Sequence, residues 1–524
     1  MDFLLHHMLL RSAARYPRKE ALVDASQRLT YEESERQSHS LAVALREIGT
    51  QRGDRVAIWL DSSVAQAVSI FGISRAGAVF VPINGLLFPD QVAHIVNDCQ
   101  VKGLITTEAR ASSLTSVLST LPSLEFLFVA DSEDKRAADL PCYSLKRACD
   151  GRTNGDWRDP RVEKDLAAIL YTSGSTGKPK GVMLSHGQIM AGSAIVSDYL
   201  GITEEERILG ALPLSFDAGL NQLMTAIQQG GTFFPLAFVF AREIVQVLLG
   251  ERITGLAGVP TLWSLLTQPS SSLEKHSFPH LRYITNTGGR MPQSVLAILR
   301  RLLPTTRIFL MYGLTEAFRS TYLPPEELDR RPESMGKAIP NTEILVVNEK
   351  GEPCKPGEVG ELVHRGPTVS MGYWGLPELT AKVLRRHPFL APELGESEKV
   401  CYSGDLVKMD EGGFLYFVAR RDNMIKSSGY RVSPTEVEEA LFHSGIIREA
   451  GVIGIPDMVL GQAIKAFVVP REGHAVEPDH LIQFCAERLP RYMVPKVVEV
   501  MLELPKTSTS KVDYPALRRR EGVL

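Results

Sequence analysis

The feature that most constrains the fold is an alternation of strand and helix patterns between residues 252 and 316. Three short apolar runs predict strands, at 253–259, 281–286 and 307–312. A helix beginning at Pro260 and another opened by Pro292 separate them. Strands joined through helices form parallel sheets with right-handed crossovers, so the pattern predicts an α/β domain.

Glycine-rich or polar loops follow these three predicted strands. They contain Gly258, Gly288-Gly289-Arg290, and Gly313 followed by Thr315 and Glu316. Ligands of parallel sheets bind beyond the carboxyl ends of the strands. We therefore expect the three loops to border one binding site.

The pattern changes after about Val418, where short strands surround the charged segment Arg420-Arg421-Asp422. Ser433, followed by Pro434 and Glu436, predicts a helix start with a capping box. These signals predict two domains, an N-terminal domain of residues 1–421 and a smaller α+β domain of residues 422–524.

Composition excludes several classes of function. Lys and Arg number 58 against 61 Asp and Glu, a net charge of −3, so no basic excess points to nucleic acid. The longest apolar run is too short to span a bilayer. Six scattered cysteines form no C-x-x-C pair, and the start of the sequence does not resemble a signal peptide. A cytoplasmic enzyme without stable membrane insertion is the expectation.

The segment 171–181, Tyr-Thr-Ser-Gly-Ser-Thr-Gly-Lys-Pro-Lys-Gly, is the densest motif. Its glycines allow close approach of a ligand to the backbone, and its hydroxyls and lysines suit phosphate oxygens. Pro179 disfavours a helical conformation at Lys178. The motif thus predicts a phosphate-binding loop between two strands, rather than one that opens a helix.

This loop resembles the signature of the AMP-forming adenylating enzymes, a superfamily of acyl-CoA synthetases, adenylation domains of non-ribosomal peptide synthesis and firefly-type luciferases. Further stretches resemble that superfamily's motifs in the same order, at 311–316, 402–406, 420–432 and 505–513. The resemblance covers nearly the whole chain. It implies a free-standing acid–thiol ligase with a large N-terminal domain of stacked, mostly parallel α/β sheets and a small mobile C-terminal domain.

The resemblance also implies a role for each matching residue. The predicted ATP-binding residues are Thr172, Ser173, Gly174, Ser175, Thr176, Gly177, Lys178, Lys180, Gly288, Gly289, Arg290, Tyr312, Gly313, Asp405 and Arg420. Within this set Tyr312 would stack on adenine and Asp405 would accept hydrogen bonds from the ribose. Thr315 would contact the α-phosphate, Glu316 would hold Mg²⁺, and Lys511 would reach the substrate carboxylate and the α-phosphate.

The same resemblance implies that one pocket serves two half-reactions. The C-terminal domain would turn about the hinge residue Asp422, so that the strand from Lys426 to Gly429 replaces Lys511 when a thiol enters. Two positions depart from the usual motifs. Ala419 and Ser510 stand where the superfamily normally has glycine, and Ser510 could alter how the lysine loop bends.

The sequence constrains the identity of the activated acid less strongly than it constrains the ATP site. Phe216 and Asp217 stand where many acyl-CoA synthetases have an aromatic residue followed by His, and with Gly258 they are the predicted substrate-binding residues. A carboxylate in an apolar pocket needs a cation, which favours an amino acid whose ammonium would pair with Asp217. Alternatively, Asp217 caps a helix or turn near Gly219.

Two functions therefore remain open. The first, for which an amino acid is the favoured substrate, is activation of an acid as its acyl-AMP with transfer to the phosphopantetheine of a carrier protein. The alternative is an acyl- or aryl-CoA ligase acting on a fatty, aryl or small acid. Both use ATP and Mg²⁺. The sequence does not distinguish a monomer from a homodimer, and it predicts no nucleic-acid partner.

Overall fold

The computed structural model describes residues 2–132, 135–137, 140–151, 159–172, 179–395, 398–421, 423–427, 430–457, 460–489, 491–507 and 510–523. In that part of the chain a first sheet has nine strands and a parallel centre. In spatial order its strands are Lys337–Ala338, Ala317–Leu323, Arg307–Leu314, Tyr283–Asn286, Gly255–Gly258, Arg207–Gly210, Thr232–Pro235, Glu20–Val23 and Arg28–Thr30.

A second sheet, also of nine described strands, is parallel in its middle and antiparallel at both edges. Its strands are, in spatial order, Gly372–Tyr373, Lys180–Ser185, Leu166–Thr172, Val79–Pro82, Arg55–Ile58, Val101–Thr106, Phe126–Val129, Leu140–Ser144 and Lys135–Ala137.

Helices pack between the two sheets and on their outer faces. The largest hydrophobic core joins both inner faces through apolar helices such as Val64–Ala76 and Asp217–Gln229, which are buried almost all round. The described helices of residues 1–421 are Leu5–Arg15, Tyr31–Glu47, Val64–Ala76, Pro89–Asp98, Glu108–Ser113, Leu145–Cys149, His186–Leu200, Asp217–Gln229, Ala241–Gly250, Pro260–Leu266, Gln293–Leu302, Pro377–Val383 and Pro392–Gly395. This layered arrangement confirms the predicted α/β class.

The predicted strand–helix alternation is confirmed, with shorter strands. The strands Gly255–Gly258, Tyr283–Asn286 and Arg307–Leu314 are parallel neighbours, and helices Pro260–Leu266 and Gln293–Leu302 connect them. Their carboxyl ends therefore lie side by side at one edge of the first sheet.

Two smaller sheets complete the chain. The third is antiparallel and consists of Glu343–Val347, Val359–Arg365, Lys399–Met409, Leu384–Arg386 and Leu415–Arg420. The fourth, in the C-terminal part, consists of Tyr430–Val432, Ile425–Ser427, Gly461–Pro470, Ile447–Asp457 and Val497–Val500. Helices Pro434–Phe442, Pro478–Ala486 and Tyr514–Arg520 accompany the fourth sheet. The 421/422 domain boundary stays a prediction, since Asp422 lies outside the described residues.

One local prediction is wrong. The helix Pro434–Phe442 begins at Ser433 as expected, but the capping box does not form, because the Ser433 side chain caps no helical N–H. Its hydroxyl instead donates a hydrogen bond to the carbonyl of Val418. A contact with a segment 15 residues earlier thus replaces a local one.

Within the described residues, none of the helices is both long and apolar enough to cross a membrane.

A buried acid in the C-terminal part makes stability depend on pH. The Glu438 carboxyl accepts hydrogen bonds from the Val452 N–H (2.9 Å) and the Tyr514 hydroxyl (2.6 Å). Burial raises the pKa of Glu438 to about 7. In an unfolded chain the pKa would be about 4.3, so folding favours the protonated acid. The stabilisation is complete below that unfolded value and is lost as pH rises through about 7.

We expect Glu438→Gln to remove this pH dependence, because glutamine keeps the acceptor oxygen and cannot ionise. Relative to wild type, its free energy of unfolding should increase by up to about 3 kcal/mol between about pH 4 and about pH 8. Denaturant unfolding at both pH values measures this, with Glu436→Gln on the exposed side of the same helix as the control. An equal difference at both pH values would contradict the assignment.

Candidate active site

The ammonium group of Lys511 lies at the carboxyl edge of the first sheet. Its Nζ is 5.7 Å from the centre of the Phe216 ring. Gly288, with φ of +79°, makes room for it, since a Cβ there would lie 3.0 Å from the Lys511 Cε. The Thr261 hydroxyl donates to the carbonyl of Ser510, 3.3 Å away. The lysine of the C-terminal part therefore reaches the loops predicted to form the site.

The charges around Lys511 are mostly negative. Burial lowers the pKa of Lys511, while the carboxylates of Asp217, Asp405 and Glu316 raise it and Arg420 lowers it. The three carboxylates are distant in sequence and lie on different elements. An amine surrounded in this way can neutralise an incoming carboxylate or phosphate once it is protonated.

The backbone at Ser510 explains why this position is unusual. Ser510 has φ of +61°, in the left-handed region that glycine adopts without strain. A serine here therefore holds a conformation that costs free energy, and the Thr261 contact to its carbonyl helps to keep it. The predicted departure from the motif thus coincides with the bend that directs Lys511 into the site.

Asp405 forms a second polar centre. The Tyr312 hydroxyl donates to its Oδ2, and Arg420 Nη1 lies 3.0 Å from its Oδ1. Burial raises the pKa of Asp405, although the Arg420 charge and the Tyr312 hydrogen bond lower it. A buried carboxylate with a hydroxyl and a guanidinium beside it suits two adjacent sugar hydroxyls, so its predicted ribose role is chemically consistent.

The ring of Tyr312 has a histidine on one side. Its centre is 6.0 Å from that of the His364 ring, and the planes differ by 14°. Burial lowers the pKa of His364 to about 3, so the imidazole is neutral at physiological pH. Sequence reasoning missed His364 because it lies in the third sheet, in no recognised motif. Stacking of Tyr312 on adenine stays a prediction.

Thr315 and Glu316 follow the strand Arg307–Leu314. Thr315 is buried, and the Glu316 Oε1 lies 2.5 Å from the hydroxyl of Tyr373, which donates to it. Tyr373 pairs with the second sheet at Val182, so this hydrogen bond connects the two nine-stranded sheets. Sequence reasoning missed Tyr373, which no motif marked.

The donors present are compatible with Mg²⁺ at Glu316. Within the described chain there is no group of three or more His, Cys, Asp or Glu side chains that could hold a metal. Mg²⁺ commonly binds through one or two carboxylates together with substrate phosphates. The single carboxylate of Glu316 fits that pattern, and the metal role of Glu316 stays a prediction.

The two ends of the predicted phosphate loop are described. Strands Leu166–Thr172 and Lys180–Ser185 are antiparallel, with Thr172 opposite Lys180. This confirms a loop between strands rather than a loop that opens a helix. The loop residues themselves, Ser173, Gly174, Ser175, Thr176, Gly177 and Lys178, lie outside the described residues, and their phosphate contacts stay predictions.

The glycines of the neighbouring loops are required by close packing. A Cβ at Gly258 would lie 2.6 Å from the Trp263 ring, and one at Gly289 would lie 3.1 Å from Pro260. At Gly313 it would lie 3.1 Å from the backbone of Arg319. These glycines bring the loop backbones close together at the sheet edge.

Arg290, predicted to line the nucleotide site, forms ion pairs with two glutamates. Its Nη2 is 2.9 Å from Glu333 Oε1, and its Nε is 3.8 Å from Glu439 Oε2 in the C-terminal part. The guanidinium thus connects the two parts of the chain in the arrangement that places Lys511 in the site. Its contact with adenine stays a prediction.

Asp217 is buried in the first turn of the helix Asp217–Gln229, and Phe216 is the residue before that helix. The Asp217 side chain does not cap the helix, because Phe216 occupies the cap position. Among the described residues none donates a hydrogen bond to Asp217, while its charge acts on Lys511. The capping alternative is therefore wrong.

The residues predicted for the second half-reaction are only partly described. The backbone of Lys426 lies in the strand Ile425–Ser427 of the fourth sheet, opposite Arg431. Gly429 and the hinge residue Asp422 lie outside the described residues. Their roles stay predictions.

Comparison with known proteins identifies the family. The AMP-binding enzyme family model matches residues 9–374, and the model of the AMP-binding enzyme C-terminal domain matches residues 436–511. Together they span most of the chain. The chain belongs to the AMP-binding enzyme family. Its predicted resemblance to AMP-forming adenylating enzymes is thereby confirmed.

Several family members are similar over nearly their whole length. A feruloyl-CoA synthase of Amycolatopsis is 32% identical, with 98% of each chain covered. A long-chain-fatty-acid–CoA ligase of Bacillus subtilis is 30% identical, covering 98% of this chain and 93% of that protein.

Solved structures agree with this placement. A benzoate CoA ligase from Burkholderia xenovorans superposes with a TM-score of 0.86 at 26% identity, covering 99% of this chain and 100% of that one. ATP-bound MatB from Rhodopseudomonas palustris gives 0.87 at 26% identity, with 99% of each covered. The predicted fold class is confirmed, and the chain has the family and fold of an AMP-forming ligase. These relatives favour the CoA-ligase alternative over the predicted amino-acid ligase.

Proposed function

We propose that this protein is an ATP-dependent ligase that activates a carboxylic acid as its acyl-AMP and transfers the acyl group to CoA. The observation that carries the proposal is the placement of the Lys511 amine beside Gly288 and Phe216, with Asp405 and Glu316 among the charges around it. Full-length similarity to CoA ligases supports CoA as the acceptor.

The chemistry requires two anions to meet. A carboxylate oxygen of the acid attacks the α-phosphorus of ATP, the new P–O bond forms, and pyrophosphate leaves with the bonding pair. The CoA thiol then loses its proton and attacks the acyl carbon, and AMP leaves. The first step needs charge neutralisation and alignment more than covalent help from the protein.

In this proposal each residue acts on one part of ATP or of the acid. Lys511 donates to the attacking carboxylate and to the α-phosphate, and Thr315 donates to the same phosphate. Asp405 accepts from the ribose hydroxyls, while Arg420 keeps that carboxylate ionised. Glu316 would hold Mg²⁺, which when bound offsets phosphate charge.

A panel of acids tests the proposal. Aryl, fatty, small and amino acids are each supplied with ATP in pyrophosphate exchange, and the active acids are then offered CoA. We expect at least one acid without an amine to support exchange and to yield a CoA thioester. Exchange only with amino acids, with no thioester formed on CoA, would overturn the proposal.

One observation favours the amino-acid ligase as a second candidate. The Asp217 carboxylate is buried, and within the described chain it receives no hydrogen bond. A substrate ammonium could pair with it. In the CoA-ligase proposal the same carboxylate has another use, because its charge raises the pKa of Lys511 and helps to keep the amine protonated.

Asp217→Asn distinguishes these two uses. If Asp217 supports Lys511, the pKa of Lys511 falls further in the variant, and kcat/KM for an acid without an amine is lost at lower pH than in wild type. If Asp217 binds an ammonium, amino-acid activation falls by roughly 10²-fold or more at every pH. The pH profile of pyrophosphate exchange measures both.

The exposed Asp198→Asn variant is the control and should reproduce the wild-type profile. An Asp217→Asn profile identical to wild type with every active acid would contradict both uses of the carboxylate.

A further inference from the structure

A narrow internal cavity of about 20 Å³ lies next to the candidate active site. Ala218, which follows Asp217, and Thr287, which precedes Gly288, belong to its lining. Its wall therefore includes the chain neighbours of Asp217 and Gly288, two residues that lie close to Lys511. At about 20 Å³ it has room for one small group, so in the proposed function only the far end of the acid would enter it.

The wall of this cavity contains a buried cation. Arg319 is 4% exposed and lines the cavity from the strand Ala317–Leu323. Its Nη1 donates to the Thr287 hydroxyl, 3.4 Å away, and its guanidinium lies 5.8 Å from the Phe318 ring centre. Within the described part of the chain no carboxylate lies at ion-pair distance from it. A buried guanidinium without an anion is costly unless a ligand supplies one.

The backbone around Arg319 is specialised as well. Arg319 has φ of +81°, a conformation that is uncommon for a residue with a side chain. Gly313 on the neighbouring strand permits it, because a Cβ there would lie 3.1 Å from the Arg319 backbone. Strained conformations of this kind concentrate at binding and catalytic sites.

A second donor in the same cavity has no hydrogen-bond acceptor among the described residues. This donor is the Nδ2 of Asn221, which is 3% exposed. The cavity wall thus combines a guanidinium, an amide NH₂ and a hydroxyl, on Arg319, Asn221 and Thr287. Donors of this kind match a carboxylate, and a guanidinium can bind both of its oxygens.

We propose that the acid activated by this protein carries a second carboxylate, which Arg319 binds in this cavity with Asn221 and Thr287. The first carboxylate would meet Lys511 and become the acyl-AMP, while the second stays ionised and fixes the orientation of the acid. This inference rests on the proposed function and narrows its substrate to a dicarboxylic acid. A monocarboxylic acid of equal length would leave the guanidinium unpaired.

The first test compares matched acids with the wild-type protein. Succinate, glutarate, adipate and terephthalate are compared with butyrate, valerate, hexanoate and benzoate, and with the monomethyl esters of the diacids, in pyrophosphate exchange. A site built around a charged group discriminates strongly against analogues that lack it. We expect at least one diacid to exceed its monoacid and its monoester by about 100-fold or more in kcat/KM.

The second test changes the arginine. Arg319→Gln should lower kcat/KM for the preferred diacid by about 100-fold and should leave the matched monoacid within about fivefold of wild type. Arg319→Lys, which keeps the charge, should restore part of the preference. Arg307→Gln, an exposed arginine on the adjacent strand that pairs with Glu326, is the control and should keep the wild-type preference.

The outcomes separate this inference from the proposed function. If no acid supports exchange, the proposed function fails. If wild type activates monoacids as well as diacids, the proposed function stands and the second-carboxylate site is wrong. That site is also wrong if Arg319→Gln lowers activity with monoacids and diacids equally. Because the first test uses wild type alone, it decides the question even if an Arg319 variant does not fold.

Discussion

Lys511→Ala should lower acid-dependent pyrophosphate exchange by roughly 10²–10³-fold, a loss of about 3–4 kcal/mol of transition-state stabilisation. The variant loses the amine that, in the proposed function, donates to the attacking carboxylate and to the α-phosphate. The amine lies against Gly288 near the Phe216 ring, and its alkyl chain contributes little to the hydrophobic core. Thermal stability should therefore change little. Initial rates of exchange with saturating ATP measure the effect.

Lys496→Ala is the matched control. Lys496 is 60% exposed and pairs with Asp457, away from the candidate site. Its exchange rate should equal that of wild type. Transfer of the acyl group from a supplied acyl-adenylate to CoA should stay within about tenfold in Lys511→Ala, because a thiol needs the space that the lysine leaves. Undiminished exchange in Lys511→Ala would contradict the assigned role.

Asp405→Asn should raise the KM for ATP by roughly 10- to 100-fold, because the ribose hydroxyls would lose a charged acceptor and hydrogen bonds to a charged group are worth about 1.5–3 kcal/mol. The variant keeps the size of the side chain and an acceptor for the Tyr312 hydroxyl. It loses the charge that pairs with Arg420 and that would accept from both ribose hydroxyls. The KM for ATP in exchange, at a fixed acid concentration, measures the effect.

Tyr312→Phe measures the contribution of the tyrosine hydroxyl separately from that of the Asp405 carboxylate. It removes one hydrogen bond to Asp405 and should cost about 1 kcal/mol in ATP binding, about fivefold. If Asp405→Asn lowers thermal stability and leaves the KM for ATP unchanged, Asp405 has a structural role only.

Local sequence patterns are sufficient where neighbouring residues determine the structure. The alternation between residues 252 and 316 predicts three parallel strands and two helices, because apolar periodicity and proline placement are local signals. Pro179 similarly predicts a loop between strands rather than a helix start, and Thr172 does pair with Lys180. These are the parts of the fold that position the site.

Contacts between distant segments cannot be predicted in the same way. Ser433 has the side chain of a helix cap, yet its hydroxyl bonds to Val418 because the tertiary fold brings that carbonyl closer. The Glu316–Tyr373 hydrogen bond joins two sheets across 57 residues. Sequence periodicity describes neighbouring residues and gives no information about contacts between segments so far apart in the chain.

The internal cavity lined by Arg319 could not be predicted from the sequence either. Arg319 follows a recognised motif by three residues, and its charge within the run Ala-Phe-Arg-Ser-Thr-Tyr-Leu is the one available signal. The sequence does not reveal that this side chain is buried beside Thr287, with no carboxylate of the described residues at ion-pair distance. Asp217, by contrast, stands out in the sequence, but its proximity to Lys511 emerges only in the folded chain.

The measurement that tests the central proposal most directly is product analysis of one complete reaction. The protein is incubated with ATP, Mg²⁺, CoA and an acid that supports exchange, and nucleotides, phosphates and thioesters are quantified together. We predict equal amounts of AMP, pyrophosphate and the CoA thioester, with the acyl-adenylate accumulating only when CoA is omitted. Formation of ADP and orthophosphate, or an acyl-adenylate that CoA does not consume, would contradict the proposal.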